Sequence, residues 1–292
     1  MFTAIQTRFP ALWPWIQLMR LERPIGALLL LWPTLWAVWI AGDGTPSLTV
    51  ILVFIAGVWV MRAAGCVIND FADRNFDGSV ARTRERPLAT GALSAKHALL
   101  LFAGLMVLAL LLLIPLNRFA FYLAFGGAGL AVLYPFMKRF TFLPQLFLGA
   151  AFAWAIPMAF AAEAGSLPAA AWLIFTAKVV WTVAYDTQYA ICDREDDLKI
   201  GIKSTAILFG EADRLIIGLL QALTLWPLWL LGRGLEFGWP WYAGLAAAAL
   251  LFVYQQWLIR NREPAACFRA FLNNQWVGLV IFAGLWLQYL LR

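Results

Sequence analysis

Apolar residues gather in nine runs, each near the roughly 20 residues that a helix needs to cross a hydrocarbon layer of about 30 Å. They fall at 25–41, 48–68, 98–116, 119–136, 143–162, 169–191, 213–231, 239–258 and 274–291. Connections such as Ala41 to Pro46 and Ile114 to Asn117 are short and rich in Gly, Pro and Asn, which predicts antiparallel helix hairpins. Two connections, 69–97 and 192–212, are much longer, and long loops in a compact bundle usually carry function. The pattern predicts an all-α integral membrane bundle of nine transmembrane helices. It forms one domain over 1–292, with the two long loops capping a site. Trp13 and Trp15 mark 1–24 as an N-terminal segment lying at the membrane interface. Arg20 and Arg23 precede a first run without a clear cleavage site, so that run reads as a retained span. The tryptophans of two runs (Trp32, Trp36 and Trp39; Trp226 and Trp229) read as interfacial belts and lipid contacts.

Composition removes the soluble alternatives. Apolar residues make up 63% of the 292 and charged residues 13%, against about half and about a quarter in an ordinary globular chain. So few charges cannot cover a water-facing surface, and disordered or disulfide-rich secreted classes fail on the same ground. The net charge of +6 is better explained by orientation than by nucleic acid, which is not expected as a partner. Of the 22 lysines and arginines, only Arg118, Arg233 and Arg292 fall on one side of the bundle, and Lys178 falls inside a span. All the others share the opposite side with both long loops. That side is therefore expected to be cytoplasmic, with the N-terminus inside and the C-terminus outside a bacterial inner membrane. His97 is the only histidine, and Cys66, Cys192 and Cys267 are widely spaced, so neither a His-based triad nor a zinc site can be assembled.

Half of the 16 carboxylates crowd into two windows at the cytoplasmic ends of the second and sixth runs. The first runs from Asn69 through Asp73 to Asp77, and the second from Tyr185 through Asp186 and Asp193 to Asp197. Each contains Asp-Arg-x-x-Asp, at Asp73 and again at Asp193, a weak internal duplication. On a continuous helix, Asn69, Asp73 and Asp77 drift by about 40° per step, and Asp186, Asp193 and Asp197 lie within about 40° of one another, so each window predicts one acidic stripe. Asp196 turns roughly 80° away and is expected in solvent. Aligned carboxylates repel unless a positive group lies between them, and near a membrane such charges are costly. Hard oxygen ligands without His or Cys point to Mg²⁺, which takes a few carboxylates and completes its shell with phosphate oxygens and water. Arg82, Arg84 and Arg86 follow the first window, and Lys199 and Lys203 follow the second. Guanidinium forks and lysine point charges suit phosphate, so the combination describes a diphosphate clamp.

With these motifs the chain resembles the UbiA superfamily of membrane prenyltransferases. The resemblance covers nearly its whole length. It rests on Arg23-Pro-Ile-Gly through Trp36, the first window continuing to Leu88, Tyr134-Pro-Phe-Met-Lys-Arg139, and Tyr185 through Asp197 into Gly210. The longer strings are similar to the branch that acts on 4-hydroxybenzoate in ubiquinone synthesis. The resemblance implies a Mg²⁺-dependent enzyme that joins a polyprenyl group, carried by polyprenyl diphosphate, to carbon 3 of 4-hydroxybenzoate. It also implies that Asn69, Asp73, Asp77, Asp193 and Asp197 hold metal. Asp73, Asp77, Asp186, Asp193 and Asp197 would be catalytic, and Arg23, Arg74, Arg82, Arg86, Lys138, Arg139 and Lys203 would contact diphosphate. Arg62, seven residues before Asn69 and so about 10 Å deeper on the same face, is expected to pair with the acceptor's carboxylate, beside Asp186 and Tyr189. The ring proton would pass to Asp193 or to the departing diphosphate. Membrane lipid is an expected partner, and no obligate protein partner is inferred.

Three other readings weigh less. Asp77-Gly-Ser-Val-Ala-Arg82 with Gly91 opens a CDP-alcohol phosphotransferase pattern, but that pattern needs aspartates where Ala95 and Leu99 stand. A prenyltransferase of the same superfamily with a naphthoate, haem or chlorophyll acceptor is the main alternative. A cation-coupled transporter is the other, although transporter sites usually lie near the midplane.

Overall fold

The computed structural model describes residues 6–80 and 82–292, so the first five residues of the expected interfacial segment lie outside it. Among the described residues the elements are helical, with no strand. They are α1 (Trp13–Leu18), α2 (Ile25–Ala41), α3 (Leu48–Asp73), α4 (Ala95–Leu112), α5 (Arg118–Met137), α6 (Pro144–Ala153) and α7 (Ala155–Ala164). There follow α8 (Ala169–Ile191), α9 (Arg194–Ile200), α10 (Thr205–Phe209), α11 (Asp213–Gly234), α12 (Trp239–Leu258) and α13 (Pro264–Leu290).

Local chemistry sets the boundaries. Ser94 starts α4 with a capping box, its hydroxyl accepting from the His97 N–H while the His97 ring accepts from the Ser94 N–H. Asn117 caps α5 by accepting from the Ala120 N–H at 2.9 Å. Pro144 and Pro264 open α6 and α13, where their missing N–H costs nothing. The run expected as one span at 143–162 is split at Trp154. Pro157 offers no N–H to the Ala153 carbonyl, and its ring crowds that turn. The displaced Trp154 ring packs where side chains on Gly126 and Gly127 would stand, and its indole donates to the Leu123 carbonyl at 2.7 Å.

The expected count of nine spans is not confirmed. Among the described residues seven helical segments are long and apolar enough to cross a membrane. The two others are helices where expected but differ in character. Helix α2 has 17 residues, about 26 Å at 1.5 Å per residue. Helix α8 has 23 residues but carries Lys178, Asp186 and Gln188, so it is not among the seven. Helix α13 begins ten residues before the expected 274, because Arg269, Asn273 and Asn274 interrupt the apolar pattern without breaking the helix. The long loops are not bare either: 69–97 contains the end of α3, a 3₁₀ turn at Asp77–Ser79 and the start of α4, while 192–212 contains α9 and α10.

The core lies between α2, α8, α11, α12 and α13. Trp36, Trp181 and Trp241 are wholly buried there, with Trp36 stacked on Trp181 at 5.8 Å. Trp36 is therefore not the lipid contact expected from its stripe. Its neighbour Gly278 on α13 leaves room for Trp32 and accepts the Trp36 indole proton at 3.1 Å. Trp226 and Trp229 are exposed and stacked on each other.

Helices α12 and α13 cross at Gly244 and Gly284. A Cβ on Gly284 would meet the Pro240 carbonyl at 2.8 Å and the Gly244 Cα at 3.0 Å. Backbone cannot swing aside as a flexible side chain can. Gly284→Val is therefore expected to cost about 1–3 kcal/mol by overpacking, read as a lower midpoint of thermal unfolding in detergent.

Candidate active site

The two acidic windows open onto one cavity of 390 Å³ at the basic end of the bundle. Helix α3 delivers Arg62, Asn69, Asp70 and Asp73, and the following loop delivers Asp77, Arg82 and Arg86. Lys138 comes from the end of α5, Gln145 and Phe152 from α6, and Asp186 and Tyr189 from α8. Asp193, Asp197 and Lys203 follow on the second cap.

Neither window is one continuous stripe. Helix α3 stops at Asp73, and Asp77 reaches the cavity from the 3₁₀ turn. Helix α8 stops at Ile191, and Asp193 precedes α9, which carries Asp197. A straight helix would carry its last carboxylates away along its axis; the turns bring them back over the cavity.

Cations hold these carboxylates in place. Arg82 forms a fork on Asp193, with Nε at 2.9 Å from Oδ1 and Nη2 on Oδ2, and its Nη1 donates to the Tyr189 hydroxyl. The guanidinium also lies over the Tyr189 ring at 4.3 Å. Arg86 Nη1 is 3.0 Å from carboxylate oxygens of both Asp77 and Asp70. Arg20 closes on Asp70 from the other side at 2.9 Å. Lys138 pairs with Asp73 Oδ2. Asp70, Asp73 and Asp77 are each 5% exposed or less, so these pairs replace lost hydration.

Burial raises the pKa of Asp77 above the usual carboxylate range, with Arg86 pulling the other way. Asp197 is pushed up to about 7, chiefly by burial and then by the like charge of Asp193, against Lys138 and Arg82. The Cys192 thiol is pushed up to about 12 by burial and then by Cys267 and Asp193. It therefore stays protonated and donates to the Pro264 carbonyl at 3.2 Å. All three cysteines are free.

Among the described residues no three His, Cys, Asp or Glu side chains are gathered as a ready cage for a metal ion. The donor set nevertheless fits Mg²⁺. Asp73 Oδ1 is buried without a hydrogen-bond partner, with Arg139 3.9 Å away. Asn69 and Asp77 line the same cavity with hard oxygen atoms. Mg²⁺ typically binds through one or two carboxylates and completes its shell with substrate phosphates and water.

Arg62 lies at the inner end of the cavity. Its Nη1 donates to Cys66 Sγ, while its Nε is buried without a partner. It reaches this place because Gly26 on α2 has no side chain; a Cβ there would overlap that Nε. A second cavity of 250 Å³ adjoins, sharing Arg62, Tyr134 and Phe152 with the first. It is otherwise apolar, lined by residues such as Gly57 and Met61 of α3, Met106 and Leu110 of α4 and Ala128 of α5.

Most of the residues singled out from sequence line the polar cavity: Asn69, Asp73, Asp77, Asp186, Asp193, Asp197, Arg23, Arg62, Arg82, Arg86, Lys138, Tyr189 and Lys203. Arg74 does not; it donates to the Phe71 carbonyl and stacks on the Phe71 ring at 4.3 Å, in an exposed position. Arg139 also lies off the wall, holding the Ala72 carbonyl behind Asp73. Asp196 pairs with Lys199 at 3.3 Å, away from the cavity. Sequence reasoning missed Asp70, Arg20 and Gln145. Asp70 stands beside Asn69 and three residues before Asp73, a signal hidden by reading only the stripe. Gln145 hydrogen-bonds Asp186 and accepts from the Thr205 N–H at 3.2 Å. An amide isolated in an apolar run was its only flag.

A model of the UbiA prenyltransferase family matches residues 30–283. The sequence is 70% identical to a 4-hydroxybenzoate octaprenyltransferase of Alcanivorax borkumensis over 99% of this chain and 100% of that one. It is 61% identical to a 4-hydroxybenzoate octaprenyltransferase of Pseudomonas aeruginosa over 97% and 96%. A UbiA homologue from Aeropyrum pernix K1 shares the fold with a TM-score of 0.79 at 24% identity, over 88% of this chain and 96% of that one. A homologue from Archaeoglobus fulgidus bound to GPP and Mg²⁺ does so with a TM-score of 0.68 at 20% identity, over 92% and 99%. The family match and near-full-length similarity of this strength carry the conclusion that the chain belongs to the UbiA prenyltransferase family.

Proposed function

We propose that this chain moves a long polyprenyl group from polyprenyl diphosphate to carbon 3 of 4-hydroxybenzoate, releasing diphosphate, as a membrane step of ubiquinone biosynthesis. The observation that carries this is one cavity in which two acidic windows and their cations converge, joined to an apolar cavity, in a chain 70% identical to a 4-hydroxybenzoate octaprenyltransferase. We read residues 1–292 as a single catalytic unit of a multi-pass protein. Its basic end and caps would face the cytoplasm across a bacterial inner membrane.

Mg²⁺ held by Asn69, Asp73, Asp77, Asp193 and Asp197 together with the donor's diphosphate would supply the positive charge that stabilises that leaving group. Arg82, Arg86 and Lys138, now neutralising Asp193, Asp70 with Asp77, and Asp73, are the groups that would turn to phosphate oxygens as the donor enters. Arg23 and Lys203 add charge at the rim. As the allylic C–O bond breaks, its electron pair leaves with the diphosphate, and this clamp holds the developing negative charge. The ring carbon ortho to the phenol attacks the allyl cation, and the proton on that carbon must then leave.

Asp186 is the better candidate to take that proton. It hydrogen-bonds Gln145 and forms no ion pair among the described residues, whereas the Asp193 carboxylate is held by the Arg82 fork here and would be taken up by metal once Arg82 turns to the donor. Arg62, with its free Nε, would receive the acceptor's carboxylate and so point the phenol end at the donor. The apolar cavity would take the prenyl tail and keep water from the cation.

Three outcomes test these assignments in purified enzyme with Mg²⁺, 4-hydroxybenzoate and a radiolabelled prenyl diphosphate. Asp73→Asn and Asp193→Asn are each expected to lower kcat by about a hundredfold or more, the scale of losing a charge-stabilising group; full activity in both would overturn the clamp. Arg62→Ala should raise the acceptor KM by about tenfold or more with little change in the donor KM, as loss of one charge-assisted hydrogen-bonding partner implies. Gly57→Phe puts a ring at a position where a Cβ meets nothing within 4 Å. It should cut activity on long donors while leaving a five- or ten-carbon donor nearly unaffected.

A further inference from the structure

Lys178 is wholly buried in the middle of α8, far from the basic end of the bundle. It lies eight residues before Asp186, about 12 Å deeper along the helix. An ionisable group at such depth is expensive unless something compensates it. Among the described residues no carboxylate comes within ion-pair distance of it.

Burial alone favours the neutral amine; what offsets it at Lys178 is an aromatic surround that can hold an ammonium. Its Nζ lies over three rings, Tyr185 at 4.7 Å, Trp181 at 4.8 Å and Phe152 at 5.5 Å. The electron-rich faces of aromatic rings attract a cation, and most strongly where water is excluded. Nζ donates to the Tyr185 hydroxyl at 2.9 Å, that hydroxyl donates to Thr182 Oγ1 at 3.2 Å, and Thr182 donates back to the Lys178 carbonyl at 2.8 Å. The Tyr185 oxygen is thus already donating and accepts from the lysine. Such a cage holds a positive charge but does not neutralise it.

Two of the three rings, Tyr185 and Phe152, line the polar cavity, while Lys178 does not. The charge therefore sits one ring's thickness behind the wall, at the end where Arg62 keeps a buried Nε unpartnered. Nearer the mouth, Asp70, Asp193, Asp77 and Asp73 are paired with Arg20, Arg82, Arg86 and Lys138. At that inner end Arg62 and Lys178 together face one carboxylate that forms no ion pair among the described residues, Asp186, so one positive charge is left over for an anion.

We propose that Lys178 is a specificity-determining residue: caged behind the wall, its charge favours an acceptor whose ring bears an anionic group at the Arg62 end. This rests on 4-hydroxybenzoate being the acceptor. Across a low-dielectric wall the charge acts without contact, so it discriminates anionic from neutral rings of the same shape and leaves the donor alone.

The test compares 4-hydroxybenzoate with 4-hydroxybenzamide, its neutral counterpart, in wild type, Lys178→Met and Lys178→Gln. Turnover of 4-hydroxybenzoate by wild type checks the acceptor itself; without it the function proposed above fails, whatever Lys178 does. Given that turnover, both variants should lose about tenfold of the preference in kcat/KM for the carboxylate over the amide, as one charge about 10 Å away at an intermediate effective dielectric implies. The loss should sit in the acceptor KM, with the donor KM unchanged. Lys178→Met keeps the length of the side chain and removes a buried unpaired charge, a change that folded proteins tolerate. Lys178→Gln keeps a donor for Tyr185 without the charge. Equal losses on both acceptors would reveal a structural role only and overturn the proposal, as would an unchanged preference in Lys178→Met or wild-type preference in Lys178→Gln.

Discussion

The arrangement turns on the mutual neutralisation of buried carboxylates and cations contributed by distant parts of the chain. Asp193 and Arg82 stand 111 residues apart, yet one fork joins them and so closes the first cap onto the second. Asp70 is shared by Arg20 and Arg86, and Arg86 reaches on to Asp77. Removing a partner from such a set leaves a bare charge in a poorly hydrated place, which costs far more than the pair contributes to stability. The pairs are therefore better understood as specifying one geometry than as holding the fold together. They also make the site responsive. Under the proposed function, Arg82, Arg86 and Lys138 would each turn from a carboxylate to a phosphate group, and each carboxylate so released would become a hard oxygen ligand.

How much of this was legible in the sequence follows from the range of each signal. Hydrophobic runs report burial in lipid or core without distinguishing them, so the helices fell where expected while the role of Trp36 did not. Its stripe looks like a lipid-facing belt, yet it stacks on Trp181 in the interior. Pro157 was visible, but its effect depends on whether a neighbouring helix can receive the displaced Trp154, and Gly126 and Gly127 supply that in space alone. The acidic windows were legible because charge is rare in this chain. A stripe requires an unbroken helix, and the turns after Asp73 and Ile191 change the path of the chain while keeping its destination. Asp70 and Arg20 escaped because their pairing is a tertiary contact across 50 residues.

The two cavities explain why such chemistry belongs at a membrane boundary. A diphosphate needs dense, oriented positive charge, whereas a polyprenyl chain needs an unbroken apolar surface. Within one water-filled cleft these demands conflict, because the water that hydrates the first would quench an allyl cation formed beside it. Here the polar and apolar cavities meet at Arg62, Tyr134 and Phe152. The change from ionic to hydrocarbon surroundings thus takes place within the length of a few side chains. A chain with one end at the headgroups and the other among acyl tails can offer both while keeping polar walls out of the hydrocarbon region.

The same division runs through the packing. Helix α8, which carries Lys178, Asp186 and Tyr189, is tied to α11, α12 and α13 by buried amides. Asn274 donates to Gln188 at 3.0 Å, Gln188 and Gln221 donate to Gln255 at 3.2 and 2.9 Å, and Trp181 donates to Asn274 at 2.8 Å. Satisfied amide networks in a low-dielectric interior allow little freedom in register, since any slip leaves several groups unpaired at once. Helices α4 and α5 are the opposite case: 6% and 11% of their apolar stretches are buried, and the apolar cavity lies between them and α3. Asp186 and Tyr189 are thus fixed on the tightly bonded half, across the polar cavity from Asn69 and Asp73 of α3. The half that faces lipid is built from side chains that resemble lipid, so a hydrocarbon tail can exchange with its surroundings there at little cost in hydrophobic burial.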